Sequence, residues 1–242
     1  MNVSSEVEAP QPRTVPPALL ALVAPDTGME RQARVGGARL AFLIAFACAL
    51  LAAFAQVSRL DARSATLEKM EKAGQLQTMS EKQLEDETRN AERLAQVGKV
   101  ATGALEAPVF LLLQGLGVVV LVWFLRGKVK GRAVFPVAAA VLLPTAVANL
   151  LDGITALRQA SLPVGAVVLA PRNIAAIAAS LGHALPMPWA KLGNAFDFFS
   201  LWGAVLMGYG VASAGEVPLK RAMIGTLCAW LCWRLLTNVA GG

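Results

Sequence analysis

Residues 192–236 read LGNAFDFFSLWGAVLMGYGVASAGEVPLKRAMIGTLCAWLCWRLL, and this stretch decides the fold. Two apolar runs, 195–214 and 222–240, flank a short polar turn. Each run has about 20 residues, and at about 1.5 Å per residue that length crosses the ~30 Å hydrocarbon core of a bilayer. The stretch therefore predicts a transmembrane helical hairpin, with Asp197 near its first end and Arg234 near its last.

The composition extends this interpretation to the whole chain. The 242 residues are 56% hydrophobic and 16% charged, whereas soluble domains are about 45–50% apolar and about 25% charged. The apolar excess lies in uninterrupted runs, which predicts an integral membrane protein. The net charge of +6 comes largely from basic residues beside these runs. Such residues set topology and attract anionic lipid, so nucleic acid is not an expected partner.

Three further apolar runs, 40–57, 107–125 and 133–151, predict spanning helices. Pro108 would occupy the first turn of its helix, where proline is tolerated, and Pro144 would kink the helix that contains it. Basic residues before the first run and after the second indicate which ends are cytoplasmic; they are Arg31, Arg34, Arg39, Arg126, Lys128, Lys130 and Arg132. Five spans then place the amino end in the cytoplasm and the carboxyl end outside.

Residues 162–181 form an ambiguous apolar segment. Arg172 at its middle would cost about 2.5–3.5 kcal/mol in a spanning helix, and Pro171 would break that helix. We expect two short half-helices, re-entrant or at the outer interface, broken at Pro171, Arg172 and Asn173. A full sixth span is the alternative.

The remaining segments are polar. Residues 1–37 are rich in proline and predict a disordered cytoplasmic tail, followed by the first transmembrane helix at 38–58. Residues 59–104 favour an extracytoplasmic charged helix, because they are rich in good helix formers with acid–base pairs four residues apart. This segment is either a solvated helix or helical hairpin, or a docking arm for a helical partner. Residues 105–242 hold the other four spans and the broken segment.

The sequence offers little for catalysis. It has a single histidine, His183, and three cysteines, Cys48, Cys228 and Cys232, which lie inside apolar runs. The common phosphate-binding, dinucleotide-binding, hydrolase and metalloprotease motifs are absent. We therefore expect no enzyme activity, no cofactor and no metal site.

The terminal hairpin predicts one specific contact. Residues equidistant from the turn lie level in an antiparallel helix pair, which places Asp197 and Arg234 at nearly the same depth. Either charge alone in lipid would be costly, so an ion pair between them is expected. The alternative is that each side chain extends separately to water.

Several motifs in order resemble the bacterial type of the Yip (Ypt/Rab-interacting protein) membrane family. FDFFSLW at 196–202, which includes Trp202, is similar to the Asp-x-Phe-x-x-Trp signature that opens that family's penultimate helix. GYGV at 208–211, the basic turn KRA at 220–222, GRAVF at 131–135, LP at 143–144 and PRNI at 171–174 are similar to its other elements. The resemblance covers about 107–240, with 40–57 as the family's first span.

The resemblance implies an all-α protein with five transmembrane helices and a cytoplasmic amino end. It implies no catalytic residue, and bacterial relatives resemble accessory proteins that sometimes associate with ABC-type exporters. We therefore expect a non-enzymatic accessory or scaffold protein of the bacterial inner membrane, with other membrane proteins, lipid or a second copy as partners. The alternative is a small-solute or ion permease. Residues expected to contact a ligand or partner are Pro171, Arg172, Asn173 and Trp202.

Overall fold

The computed structural model describes residues 15–72, 74, 79–163, 170–183 and 185–237. This part of the chain holds eleven α-helices and two short strands. The helices are α1 Pro17–Val23, α2 Pro25–Val35, α3 Ala38–Val57, α4 Ala62–Lys72, α5 Glu81–Phe124, α6 Gly131–Val141, α7 Leu143–Arg158, α8 Ile174–Ser180, α9 Met187–Ala195, α10 Phe198–Gly215 and α11 Leu219–Leu235. The strands β1 (Leu60–Asp61) and β2 (Leu162–Pro163) pair in parallel, with Leu60 opposite Leu162.

Four stretches in the described residues are long and apolar enough to cross a membrane: α3, α5, the consecutive α6 and α7, and α10. The expected all-α class is confirmed. α11 contributes only 17 residues, and the last part of the predicted span 222–240 lies outside the described residues. The fifth span therefore remains a prediction.

Backbone contacts give the bundle two ends, and the long helices that follow one another along the chain run in alternate directions between them. At one end, the α5–α6 loop meets the α10–α11 turn, where the Lys128 and Lys130 N–H groups donate to the carbonyls of Gly215 and Ala214 at 2.8 and 2.9 Å. We call this the basic end. At the other end, the Leu162 N–H donates to the Arg59 carbonyl at 2.7 Å, which joins the chain after α7 to the chain after α3. We call this the distal end.

Small residues bring the helices close together. A Cβ added at Gly103 of α5 would lie 2.6 Å from the Ala53 Cβ of α3, and one at Gly153 of α7 would lie 3.1 Å from the Ala52 Cα. Such residues let helix backbones approach closely, which favours dispersion contacts where lipid offers no hydrophobic driving force. The predicted break near Pro144 is confirmed, because α6 ends at Val141 and α7 begins at Leu143.

The expectation of a disordered tail over 1–37 is wrong for most of the residues the structure describes. α1 and α2 form a helical hairpin that packs against α6 and α10. Met29 and Gln32 are almost fully buried there, and the Gln32 Nε2 donates to the carbonyl of Pro136 at 3.3 Å. Tertiary burial thus stabilises two helices that are too short to be stable alone. Residues 1–14 lie outside the described part.

The described residues of the charged segment predicted over 59–104 are mostly helical, in α4 and the first part of α5, and α4 packs against α5. Gly74, with φ +68°, lies between these two helices and adopts the left-handed conformation that glycine tolerates best. The expected helix start near Pro108 is wrong. A Ser80–Gln83 capping box begins α5 instead, and Pro108 lies inside this helix of 44 residues.

The ambiguous segment 162–181 is not one continuous helix. It begins with β2, is irregular at 170–173 and then forms α8, which has only seven residues. The break at Pro171–Asn173 is confirmed, and the described residues 170–183 hold no helix of the roughly 20 residues that a crossing needs. The first expected half-helix falls mainly on residues 164–169, which lie outside the described part.

Candidate functional site

Three charged side chains form a cluster at the distal end. The Arg172 guanidinium lies between two carboxylates, with Nη1 3.3 Å from Asp152 Oδ2 and Nε 3.0 Å from Asp197 Oδ2. The side chains are 17%, 4% and 12% exposed for Arg172, Asp152 and Asp197. We call these three residues the ionic cluster. Two acids and one base give it a formal charge of −1 at neutral pH.

In each carboxylate, the oxygen that does not face Arg172 accepts a hydrogen bond from a backbone N–H. Asp152 Oδ1 accepts from the Ala170 N–H at 2.8 Å. Asp197 Oδ1 accepts from the Ser200 N–H at 2.8 Å and thereby caps α10. A carboxylate at this position satisfies an orphan helix donor and interacts favourably with the helix dipole. Both carboxylates are therefore held in place by a backbone N–H as well as by Arg172.

The backbone around Arg172 is equally fixed. The Phe198 N–H donates to the Arg172 carbonyl at 3.1 Å, in an isolated antiparallel bridge between Asn173 and Asp197. Asn173 caps α8 by accepting from the Ala176 N–H at 2.8 Å. Asparagine and aspartate are preferred caps, so the sequence itself ends the irregular segment at Asn173 and begins α10 after Asp197. The ionic cluster thus ties α7, the 170–173 loop and α10 together.

The short Arg172 Nε–Asp197 contact is an ion pair without aligned hydrogen-bond geometry. The Nε atom is fully buried, so the desolvation of its N–H is offset by charge attraction rather than by a well-directed bond. Removing one carboxylate would leave the buried Arg172 guanidinium with a single negative charge to offset its desolvation. The cluster is accordingly the place in the distal end where single substitutions have the largest expected effect.

Arg234 reaches the same region but takes other partners. Its Nε donates to the Ala195 carbonyl at 2.8 Å and its Nη2 to the Asn194 carbonyl at 3.1 Å. The predicted level placement of Arg234 and Asp197 agrees with this contact. The predicted ion pair is corrected, because Arg172 supplies the cation that faces the Asp197 carboxylate. The prediction considered only residues of the α10–α11 hairpin, and Arg172 lies on a loop outside it.

Aromatic contacts reinforce the α10–α11 junction. The Trp230 Nε1 donates to the Ser200 Oγ at 2.7 Å, and the Trp230 and Phe196 rings meet edge to face at 6.0 Å. Of the other residues predicted to contact a ligand or partner, Pro171 is exposed, and Trp202 is partly buried against the apolar core in the first half of α10. The structure brings Arg172 and Asn173 together with Asp197, whereas the contacts of Trp202 are with the apolar core.

Asp152 is the member of the ionic cluster that sequence reasoning did not assign to a site. The sequence feature that could have identified it is its position as an acid at the end of an apolar run, because a buried acid requires a partner. The described residues hold no group of three His, Cys, Asp or Glu side chains that suits a metal ion. The ionic cluster, with two carboxylates already bound to Arg172, is better suited to holding the fold than to binding a cation.

The second candidate surface is an arm, which we define as α4 together with residues 81–102 of α5. Thr88 is the one buried residue of the α5 part. At about 1.5 Å per residue this part is ~30 Å long. Leu94 and Val97 are 73% and 66% exposed, and Leu105 continues the same face of α5 at 61%. The arm thus presents an apolar stripe on an otherwise charged helix.

The arm is held together by local contacts. Ion pairs at i,i+4 join Lys72 to Glu68 at 2.6 Å and Arg89 to Glu85 at 3.0 Å. Asp61 accepts from the Ser64 N–H at 3.0 Å, and this backbone hydrogen bond, with a second from the Ser64 hydroxyl, lowers the pKa of Asp61. The Lys72 hydrogen bond and charge likewise lower the pKa of Glu68.

No protein-family model matches this chain, and no curated protein or solved structure matches it. The resemblance to the Yip family therefore stays a prediction from the quoted motifs.

Proposed function

We propose that this chain is a non-enzymatic accessory protein of a bacterial inner membrane, which acts as a scaffold in a transport or export assembly. The observation that carries the proposal is the arm. Its α5 part, a ~30 Å helical extension in which Thr88 is the one buried residue, has an exposed apolar stripe and an i,i+4 ion pair. This is the pattern of a helix that docks on another helix. The bundle below it would anchor and orient the arm.

The charge distribution supports an orientation for this scaffold. The basic end carries six basic residues in and beside its two short connections, which favours the cytoplasmic side; they are Arg126, Lys128, Lys130, Arg132, Lys220 and Arg221. α1 and α2 would then lie at the cytoplasmic headgroups. The arm and the ionic cluster would face the extracytoplasmic side, with α11 as the fifth crossing and the carboxyl end outside.

The ionic cluster supports a structural rather than a catalytic role. Both carboxylates accept a backbone N–H and face Arg172, so each has the partners that a buried structural acid requires. Arg172 and both acids would hold the 170–173 loop against α7 and α10. A rigid distal end fixes the direction in which the arm leaves the bundle.

Site-specific photocrosslinking tests the docking role. A photoreactive amino acid at Leu94 lies on the apolar stripe, whereas one at Glu92 lies about 200° away around the same helix. After irradiation of native membranes, we expect one membrane-protein partner to crosslink from position 94 and not from 92. The double variant Leu94→Glu, Val97→Glu should remove that adduct from a probe at Leu105 while leaving membrane levels unchanged.

Equal crosslinking from positions 92 and 94 would contradict the docking proposal, because a stripe-specific contact would be excluded. An adduct confined to lipid would do the same. The mass of the adduct also separates a second copy of this chain from a different partner.

A second candidate function is a small-solute or ion permease. The observation that favours it is a buried charged cluster beside irregular backbone, since such backbone at membrane depth either packs on protein or lines a watery cavity. Flux through proteoliposomes that is lost in Asp197→Asn and Asn173→Ala, but retained in the exposed control His183→Ala, would support the permease. Equal flux in empty liposomes would exclude it.

A further inference from the structure

A cavity of about 540 Å³ opens at the basic end. Its walls come from α2, the start of α6, the end of α10 and the start of α11. The charged residues that line it are Asp26, Glu30, Arg34, Lys130 and Arg132. This size suits a small ligand or the polar part of a larger one.

Three of these five charged side chains, Glu30, Arg34 and Lys130, already form ion pairs. Arg34 pairs with Glu30 within α2, and Lys130 pairs with Glu216 at 3.1 Å. Among the described residues, Asp26 and Arg132 have no ion-pair partner within 4 Å. The cavity therefore offers one carboxylate and one guanidinium of opposite charge to a ligand.

The lower walls of the cavity are apolar or weakly polar. They are formed by Ala33, Ala133, Ala212, Val217 and Leu219. Leu219 is 44% exposed, so this apolar side chain of the cavity wall also faces the outside of the bundle. The nearby Tyr209 supplies a hydroxyl donor. A ligand with a charged head and an apolar tail would match the charged and apolar walls of the cavity.

We propose that this cavity binds the headgroup of a zwitterionic aminophospholipid, with its phosphate on Arg132 and its ammonium on Asp26. Guanidinium groups bind phosphate through directed, charge-assisted hydrogen bonds, and a carboxylate complements an ammonium. A purely anionic headgroup would satisfy Arg132 and leave Asp26 facing negative charge. The inference rests on the proposed membrane location, in which the basic end lies at the cytoplasmic headgroups.

α2 has a direct role in this site. It supplies Asp26 and is held on the bundle by Gln32, whose Nε2 donates to the Pro136 carbonyl. Lipid binding would therefore fasten the amino-terminal helices to α6 and α10. The headgroup site gives these two helices a function beyond covering the core.

Native mass spectrometry of the full chain in detergent tests the site. Short-chain phosphatidylethanolamine, phosphatidylglycerol and inorganic phosphate are titrated separately. We expect phosphatidylethanolamine to bind most tightly. Asp26→Asn should weaken this lipid about tenfold and leave phosphatidylglycerol unchanged or tighter, whereas Arg132→Gln should weaken both about tenfold, as expected for one lost charge-assisted contact.

Lys128→Gln is the matched control, because its side chain is exposed in the same loop and does not line the cavity. It should bind both lipids as the wild type does. Equal binding of the two lipids by the unaltered chain, or displacement of lipid by inorganic phosphate at the same concentration, would overturn the proposal without any variant. Absence of lipid binding by a chain that resists alkaline extraction from membranes would overturn the headgroup site alone, and extraction itself would refute the membrane location.

Discussion

The Asp197–Arg172 contact gives the most direct mutational test of the distal end. Asp197→Asn keeps an oxygen that accepts from the Ser200 N–H but removes the charge 3.0 Å from Arg172 Nε. Leaving a buried charge with no partner costs about 3–5 kcal/mol. Because Arg172 retains Asp152 at 3.3 Å, we expect a smaller loss of about 2 kcal/mol in the free energy of unfolding.

Asp197→Ala separates the cap from the charge. It removes the same ion pair and also the capping oxygen, which adds about 1 kcal/mol. The expected order of stability is therefore wild type, then Asn, then Ala. Asp197→Ser, which keeps a capping oxygen without the carboxylate, should resemble the Asn variant.

A pair of double-mutant cycles distinguishes the observed partner from the predicted one. Asp197→Asn combined with Arg172→Gln should show a coupling energy of about 1–3 kcal/mol, the range for residues in one ion-pair network. Asp197→Asn combined with Arg234→Gln should show a coupling at least about 1 kcal/mol smaller. The geometry gives this order because Arg172 faces the carboxylate, whereas Arg234 donates to the Ala195 and Asn194 carbonyls.

The assay is reversible unfolding of the purified chain in mixed micelles, followed by circular dichroism as the fraction of denaturing detergent increases. All variants are compared at one lipid composition, because bound lipid itself raises stability. A larger coupling for Arg234 than for Arg172 would refute the arrangement of the ionic cluster.

Three further predictions concern other elements. Gly103→Val should destabilise the chain by about 1–3 kcal/mol in the same assay, because the new side chain would overlap α3. Trp230→Phe should cost about 1 kcal/mol through its lost hydrogen bond, whereas Trp233→Phe, at an exposed position, should cost less than about 0.5 kcal/mol. The pKa of Asp61 is lowered by its hydrogen bonds to Ser64. Its stabilisation of the α4 start is therefore complete above the ordinary Asp pKa of about 3.9 and is lost as pH falls through the folded-state value. Hydrogen exchange in the first turn of α4 should show this loss, and Asp61→Asn should reduce the pH dependence there while leaving the contribution of Glu68 further along the helix.

Helices with long apolar runs were predictable from the sequence, because their length and hydropathy need no tertiary information. The run at 40–57 appears as α3, Ala38–Val57. The run at 195–214 appears as α10, which begins only at Phe198 because Asp197 is its cap. Boundaries shift where a capping side chain, rather than hydropathy, decides the first helical residue.

The amino-terminal hairpin was not predictable by the same reasoning. Its helices are short, and α2 is largely polar. Tertiary packing stabilises them, with Ala18, Ala21, Met29 and Gln32 buried against each other and against the bundle. The prediction that a helix starts near Pro108 was wrong because the helix begins at an upstream capping box and continues through the proline.

The ionic cluster was predictable only in part. Asp197 and Arg172 were recognisable in the sequence as charges in apolar surroundings. The helix break beside Pro171 was also predictable. Their pairing depends on the fold of the 170–173 loop, which brings Arg172 between α7 and α10. Sequence distance and hairpin register carry no information about such a loop, and Arg234 was the nearer candidate by register alone.

The proposed orientation places the arm and the basic end on opposite sides of a membrane. Single cysteines at Glu92 in the arm and at Lys128 in the α5–α6 loop, introduced into a chain whose Cys48, Cys228 and Cys232 are replaced by alanine, report this with a membrane-impermeant maleimide. In bacteria whose outer barrier has been opened but whose inner membrane is intact, we expect labelling at position 92, and labelling at 128 only after the inner membrane is permeabilised. Labelling of both positions in the intact state, or of 128 alone, would contradict the account.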